Sequence, residues 1–316
     1  NYTAGELDFT ILEAQDGFTP KNGDEVRFWW NKKKTFLGRI FDIKYTSDEK
    51  FEVKAYDNLR YLKNEDSLIF KASSLSQRFT QVCKLANVPH KIRTGSSEKL
   101  KPVVNDGKTY FDMLKASIKE THEHTSIPYF LACSYGTIEL RKAPYVKNKI
   151  VIGDKSSLEA FTFEKSIDNS YNVIRVVKSD EKSKKKVTKT AKVKKSAAQA
   201  AAQKVANTKL TKATNSGNTL DRWGTLSKVI SVSGKKYNLA RMKQKAANNL
   251  KIYNKQTYSL SLTCTGNQAL KAGNSVYVKI KSLKEIGLGT KALTITKSKI
   301  YFGAEYKCEL EMKVRM

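Results

Sequence analysis

One motif occurs twice in this chain, 250 residues apart, and it constrains the fold more than any other feature: Lys21–Phe28 reads KNGDEVRF and Lys271–Val278 reads KAGNSVYV. Both run Lys-x-Gly-Asx, then Glu or Ser, then Val, a variable residue and an apolar one. Gly followed by Asp or Asn is turn chemistry, and the alternation after it feeds a strand. Each copy is followed by an alternating strand, a polar turn and a second alternating strand. Two similar β-domains, one at each end of the chain, are the expectation.

Period-two patterning supports strands around the first copy. Leu7, Phe9 and Ile11 share one face, as do Val26, Phe28 and Trp30. A hairpin follows, with its polar turn at Ser47–Lys50 and Phe51, Val53 and Ala55 alternating in the second arm. The period then changes. Leu75, Phe79, Val82, Cys83 and Ala86 form a helical stripe that Pro89 ends. Phe111, Leu114 and Ile118 form another, with Thr109 and Asp112 placed as a capping box. A hairpin with its turn at Ser134–Thr137 closes this region. The expected class is mainly β (α+β): a first β-domain over 1–71, an inserted α+β domain over 72–150, and a second β-domain over 151–316. Within the last, the stripe Leu239, Met242, Ala246 and Leu250 predicts an amphipathic helix. Tyr306, Cys308, Leu310 and Met312 alternate as a closing strand buried on one face.

The second β-domain is interrupted. Between Asp180 and Asn218 large apolar residues are few and aromatics are absent, and Lys178–Lys212 holds twelve lysines against Asp180 and Glu181. Such a stretch reads as a solvated, flexible segment, with an Ala-rich centre at Ser196–Val205 able to form a short helix. Overall there are 59 Lys and Arg against 30 Asp and Glu, a formal charge of +29. An excess of that size points to nucleic acid, an anionic surface or acidic partners. Lys far outnumbers Arg, however, and Lys is the poorer residue for bidentate recognition of bases or phosphates. Direct nucleic-acid binding is therefore disfavoured for the main role, although a basic nucleic-acid-binding protein using 178–212 is the leading alternative function.

Catalytic chemistry finds little support. His122 and His124 stand two apart near a helix end and point to different faces, a solvated terminus rather than a metal pair. There is no HExxH, Walker or GxSxG motif, and no cofactor or metal is expected. Asp57, Asp112 and Glu159 are the carboxylates available to a tail-associated cell-wall hydrolase, and each fits turn, cap or strand-face duty better. Cys83, Cys133, Cys264 and Cys308 lack metal spacing and read as reduced, buried, small hydrophobes. No apolar run approaches the ~18 residues that span a bilayer and no signal peptide is visible, so synthesis in the cytoplasm is expected. The first residue is Asn1, not Met, and further N-terminal sequence is expected.

The stretch Phe51–Cys83, FEVKAYDNLRYLKNEDSLIFKASSLSQRFTQVC, resembles the hub proteins of PBSX-type prophages, within the late control protein D family of contractile tails and related bacteriocins. AYDNLRYL, a polar turn, LIF and a helix follow in the family's order. SKVISV, the helix near 238–252, YSLSLTCTGNQALKAGNSVYVKI and the closing hairpin continue it, so the likeness covers about 20–178 and 219–316. The resemblance implies a non-enzymatic baseplate subunit with two barrel-like domains, a homotrimer joining a six-fold tail tube protein to a three-fold spike or cell-wall-binding tail protein. It implies a place in a virion or tail-like particle baseplate, assembled in the bacterial cytoplasm, with no membrane insertion by this chain. Interfaces are expected near Trp29, Trp30, Tyr56 and Arg60. Of the adjacent tryptophans, one must face inward and the other outward.

Overall fold

A computed structural model describes residues 3–12, 19–181, 208–232 and 238–314. The protein is mainly β, with about half of its residues in strands. It divides into one unit of 1–162 with 260–314 and a second of 163–259. Among the described residues no helix is long and apolar enough to cross a membrane.

The first unit opens with β1 (Glu6–Leu12), β2 (Glu25–Trp30), β3 (Lys33–Thr46) and β4 (Lys50–Tyr56), an antiparallel sheet of order β1-β4-β3-β2. Its buried face carries the alternating residues read from the sequence: Phe9, Ile11 and Val26 pack on Ile40, Phe51 and Val53. A 3-10 helix (Asn58–Lys63) leads into β5 (Glu65–Phe70), β6 (Ser73–Ser74), α1 (Leu75–Leu85), β7 (His90–Ile92), β8 (Lys99–Leu100), β9 (Val103–Thr109), α2 (Tyr110–Thr125), β10 (Tyr129–Ser134) and β11 (Thr137–Lys142). Ser74 and Gln77 form a reciprocal capping box on α1, and the Thr109 hydroxyl accepts from the Asp112 N–H at the start of α2. These caps satisfy N–H groups that have no partner inside the helix. The two helices bury Phe79, Val82, Leu114 and Ile118 against Ile138 and Leu140 of β11. Leu59, Leu62 and Phe70 sit in this same core, so residues 58–70 pack with the helices rather than in the four-stranded sheet.

Beyond β12 (Lys147–Gly153) and β13 (Leu158–Ser166) come β14 (Val173–Glu181), β15 (Thr208–Ser216), α3 (Leu220–Trp223), β16 (Ser227–Val232), α4 (Leu239–Tyr253), β17 (Thr257–Thr265), β18 (Ser275–Lys279), α5 (Lys281–Glu285), β19 (Lys291–Tyr301) and β20 (Lys307–Val314). Six of the strands form a half-barrel sheet in the order β12-β18-β19-β20-β17-β13. The second unit is a three-stranded sheet, β15-β14-β16, with α4 laid on one face. Met242 and Ala246 of α4 are fully buried against Ile174, Val176 and Ala213, with Leu250 beside them, whereas Leu239 faces solvent.

The flexible segment expected over 180–218 gives way to strands at its two ends, and residues 182–207 lie outside the described residues. Asp180 and Glu181 end β14, and Thr208–Ser216 forms β15, paired with all of β14 from Val173↔Ser216 to Glu181↔Thr208. Among the described side chains of β15 the inward ones are Thr211, Ala213 and Asn215, of which Ala213 is buried. A strand whose core face carries two polar residues and an alanine leaves no apolar alternation to read. The Ala-rich centre at 196–205 lies outside the described residues.

Candidate assembly surfaces

The two copies of the Lys-x-Gly-Asx motif make the same structure. Gly23 takes φ +93° and Gly273 φ +89°, a region open to glycine and costly for other residues. The Asp24 N–H donates to Lys21 O at 3.1 Å, and the Asn274 N–H to Lys271 O at 3.1 Å. Gly23 N donates to Ile40 O and Ile40 N to Asp24 O; Gly273 N donates to Ile295 O and Ile295 N to Asn274 O. The next irregularity also repeats. Register shifts between Ile40 and Asp42 against β4, and between Ile295 and Lys297 against β20, so Phe41 and Thr296 are equivalent bulge residues. Strand order matches as well, β1-β4-β3-β2 against β17-β20-β19-β18. Turn, bulge and topology therefore define one four-stranded unit built twice. The copies differ at their edges: β1 and β2 end the first sheet, whereas β13 and β12 extend the second beyond β17 and β18.

Both copies carry opposite charges across their solvent faces. Asp42 pairs in register with Lys54 and Lys44 with Glu52; at the equivalent positions Lys297 pairs with Glu311 and Lys299 with Glu309. Lys297 and Glu311 are in ion-pair contact at 3.0 Å, and the Tyr301 hydroxyl donates to Glu309 at 2.9 Å. Such cross-strand pairs contribute ~0.2–1 kcal/mol each. Lys297, Lys299, Glu309 and Glu311 line a shallow groove of about 240 Å³ together with Thr162 and Thr263. Each of the two glutamates already has a cationic or hydroxyl partner, so the groove's charges are balanced, and Ala160, Phe161, Leu262 and Leu310 also line it.

The four residues singled out for interfaces fall in three places. Trp29 is 46% exposed, its ring 6.2 Å from that of Tyr135 in the β10–β11 turn, with the Lys34 ammonium 5.0 Å from the Tyr135 ring. Trp30 turns the other way and packs inside the chain against Phe302 and Tyr306, at 5.3 and 5.4 Å between ring centroids. Gln268 donates to Trp30 O at 3.0 Å, tying the end of β2 to the loop before β18. Tyr56 and Arg60 meet at Phe41: the Tyr56 ring is edge-on at 5.5 Å and the Arg60 guanidinium lies 5.0 Å from the Phe41 ring. Sequence reasoning passed over Phe41. The break in alternation at Ile40-Phe41-Asp42 was the available signal, because two adjacent apolar residues in a strand otherwise of period two indicate a bulge.

The carboxylates considered for catalysis serve local structure. Glu159 is exposed on β13, and Asp112 accepts from the Thr109 hydroxyl at 2.8 Å. Asp57 is buried, caps the 3-10 helix by accepting from the Leu59 N–H at 2.9 Å, and also receives the Gly5 N–H and the Cys133 thiol. Burial outweighs those donors and pushes its carboxyl up to about 7. The Cys83, Cys133 and Cys264 thiols are pushed up to about 12, chiefly by burial, so none is a ready nucleophile. Among the described residues no cluster of His, Cys, Asp and Glu is fit to hold a metal.

Asp57 gives a pH test. Its folded value near 7 lies above the ordinary carboxylate value of 3.8. Between the two, the folded chain binds a proton that the unfolded chain does not, so this group's contribution to stability falls as pH rises from about 4 to about 7. The expected slope is ~1.4 kcal/mol per pH unit. Urea unfolding of the wild type and Asp57→Asn across that range should differ by this slope. Parallel profiles would mean that Asp57 stays ionised in the folded chain.

Comparisons with known proteins place this architecture. A family described as YQBQ-like matches residues 1–201 and 199–313. The phage-like element PBSX protein XkdQ of Bacillus subtilis (strain 168) is 25% identical over 184 residues, 57% of this chain and 56% of that protein. YqbQ of the same organism is 23% identical over 161 residues, 50% of this chain and 49% of that protein. The chain thus spans about half the length of the curated relatives it matches. Among solved structures, the tail protein from Neisseria meningitidis MC58 superposes with a TM-score of 0.65 at 13% identity, over 98% of this chain and 88% of that one. The 43 kDa tail protein of prophage MuSo2 from Shewanella oneidensis gives 0.62 at 14% identity, over 98% and 89%. At such identities the likeness is one of fold, and the fold is that of phage tail proteins.

Proposed function

The chain belongs to the YQBQ-like family, and from that premise we propose that it is a structural, non-enzymatic baseplate subunit of a phage-type tail, the hub between tube and spike. The observation that carries this reading is the duplicated four-stranded unit, with its repeated turn, bulge and strand order. Three copies of a chain with two equivalent sheets present six similar sheets around one axis. Such a ring matches a six-fold tube on one side while keeping three-fold symmetry for a spike on the other.

The differing edges suggest how the ring closes. Unpaired edge strands expose N–H and C=O groups that another chain satisfies by strand addition. In the first copy β1 and β2 lie at the edges; in the second, β12 and β13 do. A head-to-tail contact between a first-copy edge and a second-copy edge of the next subunit closes after three copies. Trp29 with Tyr135, and the Tyr56–Phe41–Arg60 group, supply aromatic and cationic side chains of the kind enriched in interface hot spots.

Native mass spectrometry of the full chain, with negative-stain images of the same sample, tests this. A trimer with a three-fold ring and a central opening is expected, alone or after addition of a tube or spike protein. A chain that stays monomeric beside both partners would refute it.

A further inference from the structure

Beyond the hub reading, we infer that the unit formed by residues 163–259 docks on the phosphate backbone of duplex DNA through the outer face of α4, without reading base sequence. The charge of the protein is concentrated in this unit. Residues 163–259 hold 23 Lys and Arg against 5 Asp and Glu, a net +18 of the total +29, in under a third of the 316-residue chain. The helix α4 itself, LARMKQKAANNLKIY, contains four basic residues and no acidic one.

Packing fixes which side of α4 meets solvent. Met242 and Ala246 are fully buried on the sheet, with Leu250 and Tyr253 beside them, so the helix cannot roll without opening that core. The outer side carries Arg241, Gln244, Asn248, Lys251 and the apolar Ile252, with Lys243 at its flank beside the buried stripe, all exposed. From residue 241 to 251 the helix rises ~15 Å, a length over which duplex DNA presents about nine phosphate charges. Gln244 and Asn248 add amide donors between the cations, and phosphate oxygens accept from such groups without regard to sequence.

The preference for Lys over Arg separates the occupants. Protein interfaces are enriched in aromatic residues, Met and Arg and depleted of Lys, so an acidic protein is a poor match for this face. No exposed position on the outer side of α4 is aromatic. The two tyrosines at its C-terminal end are engaged: Tyr171 and Tyr253 pack at 5.7 Å, with the Lys228 ammonium 4.6 and 4.0 Å from their rings. Lysine lacks the planar fork for bidentate recognition of bases or phosphates, but it still binds a row of phosphates as a point charge, without reading sequence.

Fluorescence anisotropy of the full chain with a labelled random-sequence duplex of about 30 bp, over a salt series, tests the assignment. Replacing both Lys243 and Lys251 by Gln should make the slope of log K against log salt shallower by about 1.8, and weaken binding about tenfold at low salt. Lys279→Gln with Lys313→Gln removes the same charge from exposed positions of the other unit and should leave both quantities unchanged. Equal losses in the two double variants would reduce the effect to net charge and overturn the assignment. So would competition by polyglutamate at matched charge, absence of wild-type binding, or loss of all binding on deletion of 182–195 with the α4 variant unaffected. Native mass spectrometry of the α4 variant reads ring formation separately, so failure here and failure of the hub reading are distinguishable.

Discussion

Replacing Arg78 by alanine is expected to lower the unfolding free energy by about 3–5 kcal/mol, as when one partner of a buried ionic network is removed. Arg78 lies on α1 and is 1% exposed, among the largest fully buried side chains. It survives there because every face of the guanidinium is used. Nε donates to Ser73 Oγ at 3.3 Å, Nη1 to Ser117 Oγ at 3.1 Å and Nη2 to Lys101 O at 2.5 Å. The plane lies 5.0 Å from the Phe70 ring, and Glu120 of α2 stands 4.0 Å away. One side chain thereby ties α1 to α2 and to the segments before β9. Alanine leaves Lys101 O without this donor and opens a cavity between the helices. Lysine should fail nearly as badly, since one ammonium cannot occupy three donor positions. Methionine restores volume without charge and should recover most of the loss, short of the ~1–3 kcal/mol for the unpaired carbonyl. Guanidinium unfolding followed by the amide exchange of α1 and α2 measures this. A loss below ~1 kcal/mol for alanine would mean that burying the charge offsets everything it holds.

Neither this network nor its counterpart around Glu139 was legible in the sequence. Glu139 is also buried, held by Arg93 at 2.8 Å and by Arg141, and the reader of a strand sees only IELRK alternating. What was legible rests on local rules. Ser74 and Gln77, Thr109 and Asp112, and the Tyr135-Gly136 turn, both residues at positive φ, announce themselves within four residues. Period two placed Phe51, Val53 and Ala55 in the core because one face of a sheet must be apolar. Contacts between distant segments left no such mark. Trp30 meets Phe302 and Tyr306 more than 270 residues on, and β12 runs parallel to β18 across a separation of over 120. The adjacent tryptophans could be assigned to opposite faces, but not which of them had a partner within the chain. The repeated turn is the exception: a long-range relation visible because both copies keep the same residues for the same backbone reason.

That relation supplies the second large effect. Gly273→Ala should destabilise the chain by about 2–5 kcal/mol, whereas Gly23→Ala should cost only ~1–2 kcal/mol. Both glycines hold positive φ, so each alanine meets the same backbone strain of ~1–2 kcal/mol. Their surroundings differ. A Cβ on Gly23 meets nothing within 4 Å, while one on Gly273 would lie 2.1 Å from Phe130 Cζ and 2.3 Å from Cε2. Phe130 belongs to β10, so the second turn is pressed against the α+β region and the first is open. The Tyr145 N–H also donates to Gly273 O at 2.8 Å, which limits how far the turn can retreat. Overpacking adds ~1–3 kcal/mol at Gly273 alone. Phe130→Ala should lose its own packing but remove the clash, so the double variant Gly273→Ala, Phe130→Ala should cost less than the sum of the singles. Thermal or denaturant melts of the four chains decide the matter. Equal losses for the two glycine variants would mean that the turns differ in surroundings less than their geometry indicates; additive losses at Gly273 and Phe130 would remove the contact from the account.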